Sequence, residues 1–561
     1  MNRPVPLTQF LLFTAFLLFC SCQRNQNADE LIIGKIWTGN PEQPWAEAMA
    51  ISGDSIVYVG TIAGAENLAG IETKRTITDT ASLIVPGFID SHTHFLDGGY
   101  SLSSVQLQNA NSPAEFIKIL ADFAKTLKPG VWITGGNWDH QRWGGILPER
   151  DWIDSVTKDN PVWVNRSDGH MHLTNSAALK AAGVTDQVKN VDGGEIIRKN
   201  GRMTGLLKDN ANSLVAPSRT PRTAEEEDKA LQAAMDYVAS NGVTSVVSVT
   251  GTGYGNYIDV YRRALASNQM KTRIYAAGSL EDWRLIDSII KKNGRGDDWL
   301  KLGAVKGFVD GSLGSHTAAF VKPFSDSPKD SGIFLIPEAI LYQRIKSADS
   351  AGLQLMIHAI GDKSIHTLLN LFERIKKEEP ARDRRIRMEH AQHILPEDIP
   401  RFAKLDVIAS MQPYHAIDDG RWAEKVIGQE RAKTTYAFRS LLDAGTKMAF
   451  GSDWFVAPAS PLLGIYAAVT RRTIDEKNPN GWIPAQKIRV EEAMKAYTLG
   501  AAYASSDEQR KGSLQKGKLA DYVVLDKDIT EINPREIPEV RILKTVVGGK
   551  LVYDHLSIKK N

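Results

Sequence analysis

Cysteine is almost missing from this 561-residue chain, with Cys20 and Cys22 the only two. Past that point no thiol remains for a disulfide, a thiolate nucleophile or a sulfur metal ligand. A domain of this length must therefore be held by its core. Net charge is nearly absent too, +2 from 68 Lys and Arg against 66 Asp and Glu, which gives no electrostatic case for nucleic acid or an acidic surface as partner. Low-complexity tracts and repeats of solenoid length are lacking. What is present, 42% hydrophobic and 24% charged residues, is the composition of an ordinary globular protein.

The long apolar run near the start, Leu7 to Phe19, follows the basic opening Met1-Asn2-Arg3. It is shorter than the roughly 20 residues a membrane-spanning helix needs and fits the apolar core of a secretory signal. Phe19-Cys20-Ser21-Cys22 resembles the end of a bacterial lipoprotein signal, an ordinary cleaved signal or a short anchor being the alternatives. The expectation is a signal peptide over 1–22, lipidation at Cys22 and a polar tether over 23–30. The protein would then be an exported bacterial cell-envelope lipoprotein, facing the periplasm or the cell surface, whose membrane contact is that anchor.

Farther along, Ile84-Val85-Pro86-Gly87-Phe88-Ile89-Asp90-Ser91-His92-Thr93-His94 is an apolar run ending in His-x-His. Side chains two apart on a strand share a face, so His92 and His94 project together, as ligands to a divalent metal would. Seven further strand-like runs follow: Val243 to Val249, Arg273 to Ala277, Leu302 to Val309, Leu353 to His358, Ile386 to His390, Val407 to Gln412 and Lys447 to Asp453. Helical patterns such as Ala224 to Ser240 and Lys363 to Lys377 lie between them. Eight strands alternating with helices predict an α/β fold, a (β/α)8 barrel, over 85–505. A doubly wound open sheet is the alternative.

The first gap, about 95–223, carries strands of its own and predicts an inserted lobe over the barrel mouth. Alternating segments at both ends, 31–84 and 506–561, predict one composite β-sandwich domain. In such a barrel chemistry sits at the C-terminal ends of the strands. His92, His94, His358, His390 and Asp453 fall at those ends, and Lys306 lies on the fourth strand.

Together with Lys306-Gly307-Phe308-Val309-Asp310-Gly311-Ser312-Leu313-Gly314-Ser315, Ile357-His358-Ala359-Ile360-Gly361-Asp362, Glu389-His390-Ala391-Gln392, Gln412-Pro413 and Gly451-Ser452-Asp453-Trp454, the His-x-His run resembles the amidohydrolase superfamily. More narrowly it resembles the amidohydrolase 3 branch of N-substituted formamide deformylase and the YtcJ-like metal-dependent hydrolases, from about Leu31 to Tyr553. The resemblance implies one or two divalent metals, zinc by preference. His92, His94 and Asp453 would hold the more buried metal and His358 and His390 the second. Lys306, carboxylated on its amine, would bridge them; an unmodified Lys306, paired with Asp310 or reaching the substrate, would go with a single metal. Asp453 would act as general base and then general acid on a metal-activated water.

The substrate implied is a small molecule with a non-peptide carbon–nitrogen bond, an N-acyl or N-formyl amide. A cyclic amidase or a deaminase is the runner-up within the superfamily, and a non-catalytic solute-binding lipoprotein is the reading from another class. A homodimer is compatible with the chain. Candidate substrate contacts are His170 in Ser167-Asp168-Gly169-His170, Trp138, Gln412, and His316, which stands where the family usually has an arginine. Arg439 is a further polar candidate near the mouth.

Overall fold

Short runs rich in Val, Ile, Leu and Ala are buried almost throughout and become eight parallel strands: β1 Phe88–Thr93, β2 Val243–Val249, β3 Arg273–Ser279, β4 Leu300–Phe308, β5 Gln354–Ala359, β6 Arg387–His390, β7 Ile408–Met411 and β8 Met448–Phe450. A strand buried on both faces has no reason to alternate polar and apolar residues, and these do not. The computed structural model describes residues 27–249 and 254–558. The proposed signal peptide and Cys22 lie outside them. Among the described residues no helix is long and apolar enough to cross a membrane.

Each barrel strand pairs with the next in sequence. The gap between β8 and β1 is bridged past the strand ends. Asp453 N donates to His92 O and His94 N donates to Trp454 O, each at 2.7 Å. The barrel is therefore sewn shut at its mouth by the segment that carries His92, His94 and Asp453.

Helices pack outside. α1 (Phe95–Ser101) follows His94 directly. α2 (Ala224–Ser240) starts at a reciprocal cap between Thr223 and Glu226, which satisfies two otherwise orphaned backbone donors. α3 (Asp362–Glu378) buries Ile365, Leu368, Leu369, Phe372 and Ile375, one stripe at helical spacing.

The chain ends meet in a second sheet. Leu83–Pro86 pairs in parallel with Ala28–Trp37 and antiparallel with Tyr522–Leu525, and hydrogen bonding runs without interruption through eight strands. The alternation is functional here: Ile84 and Val524 enter the sheet's own apolar cluster, while Leu83, Val85, Val523 and Leu525 pack into the barrel's. The buried Arg273–Asp521 pair, at 2.8 Å, adds a polar tie between β3 and this sheet. The first strand begins at Ala28, so Ala28, Asp29 and Glu30, expected in the polar tether, are strand residues. Glu30 pairs with Ile51 of Trp45–Ser52 and with Lys74 of Ala69–Ile77, and Ala28 pairs with Ala69.

Between β1 and β2 the chain forms a six-stranded sheet, from Val105–Gln106 to Arg202–Asp209, over its own core of Phe116, Leu120, Trp138, Val164 and Leu206.

Candidate metal centre

His92, His94 and Asp453 bring one ligand atom each within 4.8 Å of one another, and so do His390, His415 and Asp453. Asp453 Oδ1 lies 3.2 Å from His94 Nε2 and 3.4 Å from His92 Nε2. Neither contact is an aligned hydrogen bond, and Asp453 Oδ1 is buried without any partner, as is His415 Nε2. A buried carboxylate oxygen left without a donor is costly. A cation among these nitrogens and this oxygen removes that cost, so the donor set fits a divalent metal, and nitrogen plus carboxylate ligation suits zinc.

The residues behind the ligands set which atoms face the centre. His92 Nδ1 is 2.5 Å from Glu389 Oε2 and His390 Nδ1 is 2.8 Å from Gln412 Oε1. Both acceptors call for Nδ1–H, which leaves Nε2 as the lone-pair nitrogen. His358 is turned otherwise: Nε2 lies 3.0 Å from Gly311 O, so its lone pair sits on Nδ1, and it joins neither triad although its ring centroid is 4.5 Å from that of His390. Burial drives His358 and His390 well below the ordinary imidazole range, keeping both neutral.

Glu389 is a carboxylate with no exposure, and burial alone would favour its neutral form. The Arg387 guanidinium and His92 outweigh that and hold it well below the usual range. Arg387, equally buried, donates to Glu389 at 2.7 Å and to Ser91 O at 2.5 Å. Glu389 and His390 both serve the barrel interior, which a regular strand forbids for neighbours. The positive φ of His390 (70°) breaks the alternation; Asp453 is likewise left-handed at 60°. Such strain concentrates where function holds a side chain in place.

Lys306 is buried, its Nζ 3.2 Å from His92 Nε2, and burial pushes its pKa down to about 8. It makes no pair with Asp310. That carboxylate accepts instead from the backbone of Ala319, Ile360 and Gly361 at 2.8–3.0 Å and orders the loops after β4 and β5.

A cavity of about 850 Å³ opens over the centre, lined by His94, Lys306, His358, His390, His415 and Asp453 from the barrel and by Trp163, Asp168, His170 and His172 from the six-stranded sheet. His170 is thus brought to the site, its Nδ1 2.6 Å from Asp209.

Three other substrate candidates are not. Trp138 is fully buried in the core of the six-stranded sheet, edge-on to Phe116, with Nε1 donating to Val164 O at 3.0 Å; its aromatic bulk was needed for packing. His316 turns away to Asp326 at 3.0 Å. Gln412 is buried, occupied with His390, and not among the residues that line the cavity. Arg439 binds Asp443 and Glu492 on the exterior. Trp138→Ala should therefore lower stability by ~3–5 kcal/mol in a denaturant titration, with KM unchanged; an altered KM at unchanged stability would return Trp138 to the pocket.

The structure adds Glu389, Arg387 and His415 to the residues singled out above. Arg387 and Glu389 are two apart on a strand with apolar neighbours, a pattern that places two opposite charges on one buried face. His415 stands in α4 (Pro413–Asp419), immediately beyond β7, where the strand-end rule already pointed.

The pattern of the Amidohydrolase family matches residues 82–553. The chain is 39% identical over 538 residues to the protein LONG AFTER FAR-RED 3 of Arabidopsis thaliana, covering 94% of this chain and 92% of that one. It is 28% identical to the N-substituted formamide deformylase of Arthrobacter pascens, over 94% and 99% of the two chains. Among solved structures, a metal-dependent hydrolase from Pyrococcus horikoshii OT3 superposes with a TM-score of 0.74 at 26% identity, over 90% of this chain and 99% of that one. With a nearly closed parallel barrel and a His/Asp centre at its mouth, the chain is a member of the amidohydrolase family, a metal-dependent hydrolase of carbon–nitrogen bonds.

Proposed function

We propose that the protein hydrolyses an N-acyl or N-formyl amide of a small molecule, using His92, His94 and Asp453 for one zinc and His390, flanked by His358 and His415, for a second. The observation that carries this reading is Asp453 Oδ1, buried without a donor between two imidazoles. Metal bound there would lower the pKa of water and polarise the scissile carbonyl. Asp453 takes the proton of the attacking water and delivers it to the departing nitrogen. Glu389 keeps His92 in the tautomer and orientation that serve the centre, and Gln412 does the same for His390. Against the burial that would lower it, Asp209 raises the His170 pKa, and the imidazolium so held, with Nδ1–H on Asp209, has Nε2–H free to donate to the substrate carbonyl. The six-stranded sheet forms the far wall and excludes water as it selects.

Carboxylation of Lys306 is part of the proposal. The reaction needs a neutral amine, and burial that lowers its pKa to about 8 makes that form accessible as a minority species near neutral pH. Export and lipid anchoring at Cys22 are also proposed, on the sequence of the first 22 residues. The relative named for formamide deformylation favours the acyclic amide.

Turnover of N-formyl and N-acyl amines, set beside cyclic amides and aminated heterocycles, tests the assignment; activity confined to either of the latter groups would replace it. His415→Ala should lower the second metal equivalent and leave the first at one per chain, read by elemental analysis. Full retention of two metals would remove His415 from the set.

A further inference from the structure

The cavity over the metal centre holds charges of both signs, and they are not equally satisfied. Eight acidic side chains line it against five Lys and Arg. Apart from Asp453, each of those acids already has a donor within the chain. Besides Lys306, which faces His92 at the centre, two of the cations are the reverse case. Among the described residues, neither Arg219 nor Arg222 meets a carboxylate.

Both sit on the connection that leads from the six-stranded sheet into α2. Arg219 is half-buried, its guanidinium 4.4 Å over the Trp163 ring and its Nε donating to Ala216 O at 3.2 Å. Those contacts fix the plane of the group and use one of its five N–H bonds, leaving the four on Nη1 and Nη2 without a partner in the described chain. Trp163 is itself held, stacked on His172 at 3.7 Å between ring centroids. Trp163 Nε1 and His172 Nδ1 are buried and unpartnered, and both residues line the same cavity. Arg222, exposed, lies 3.5 Å over the Tyr100 ring and makes no ion pair among the described residues.

A pinned, partly desolvated guanidinium without an anion is a costly arrangement, and an unpaired indole N–H beside it adds to that cost. The Arg219 Nη groups and Trp163 Nε1 are donors left over at this end of the cavity, and the guanidinium has the fork geometry that takes a carboxylate through two parallel hydrogen bonds. The excess of acids on the rest of the wall disfavours a more highly charged guest such as a phosphate dianion.

We infer that Arg219 and Arg222, with Trp163, form an anion subsite in the active-site cavity, and that the substrate is an amide that also bears a carboxylate. This rests on the amide-hydrolase reading above and narrows it. The subsite anchors the carboxylate while the amide lies at the metal centre, so its loss raises KM more than it lowers kcat.

The test uses the metal-loaded full-length protein and two matched probes, N-acetylphenylalanine and N-acetylphenylalaninamide, which share the acetamide and differ in the carboxylate. The wild type should prefer the acid in kcat/KM. Arg219→Gln with Arg222→Gln should reduce that preference by about tenfold or more, the worth of a charged hydrogen bond, through KM and with metal content unchanged. Arg219→Lys, which keeps the charge and loses the fork, should recover part of it. Calorimetric binding of the same two probes gives the answer without turnover. If neither probe is hydrolysed but the acid binds more tightly and the double variant loses that advantage, the subsite stands and the amide reading falls. Equal binding of acid and amide, or undiminished binding of the acid by the double variant, overturns the subsite. Tighter binding of phenyl phosphate than of phenylacetate overturns its assignment to a carboxylate.

Discussion

Asp453→Asn is expected to keep most of its metal and to lose turnover by about 10²–10⁴-fold, the usual contribution of a positioned general acid–base group. Asparagine preserves the size of the side chain and one carbonyl oxygen toward His92 and His94, so the loop after β8 stays in place. Its backbone bond to His92 O, at 2.7 Å, is untouched by the change. What the amide lacks is the ability to accept a proton from water and return it to the leaving nitrogen. The loss should therefore fall on kcat, with metal content by elemental analysis close to that of the wild type. Retained turnover would take the proton transfer away from Asp453. Loss of metal in parallel with turnover would reduce its role to ligation.

The second large effect lies behind the ligands. Arg387 and Glu389 have no solvent exposure, and their 2.7 Å pair is completed by Ser91 O and Ser410 Oγ on Arg387 and by His92 on Glu389. Arg387→Met leaves Glu389 charged and buried, facing only an imidazole. Breaking one side of such a pair costs ~3–5 kcal/mol. A denaturant midpoint shifted by that amount is expected, together with weakened metal binding, because the Glu389–His92 contact is what presents Nε2 to the centre. Glu389→Leu combined with Arg387→Met should be less destabilising than Arg387→Met alone, since it removes the uncompensated charge. A single variant within 1 kcal/mol of wild type would show that the pair is not needed by the fold.

These two residues also show where reading the chain stops. The barrel was legible because parallel strands buried on both faces are continuous apolar runs, and eight of them stood between helical patterns. The convergence of His94, Lys306, His358, His390 and Asp453 on one cavity, with His92 beside Asp453, was legible because polar residues at the ends of such runs have few other uses. Trp138, His316 and Gln412 were not, since a tryptophan after a strand serves a core as readily as a pocket wall. A histidine in a loop can turn to an aspartate ten residues on, as His316 does to Asp326. Gln412 lies one strand from His390 in the barrel, a neighbourhood fixed by the register of β6 and β7 and invisible in a linear sequence. The left-handed backbone at His390, which puts Glu389 and His390 to work on the same side, is equally beyond a period-two reading of the strand.

The cavity follows the same division. Its floor comes from strand ends and could be anticipated, while its upper wall comes from the six-stranded sheet and the segment leading into α2. There Trp163, His172 and Arg219 meet through long-range packing that no local spacing encodes.

The claim on which the rest depends is that the cluster around Asp453 holds metal. Elemental analysis of the purified protein, with intact mass taken under conditions that preserve a carbamate, addresses it directly. The account predicts at least one zinc per chain after reconstitution, and, when the second site fills, the added mass of one carbon dioxide that disappears in Lys306→Ala. Less than one metal per chain, with no gain on reconstitution, would contradict it.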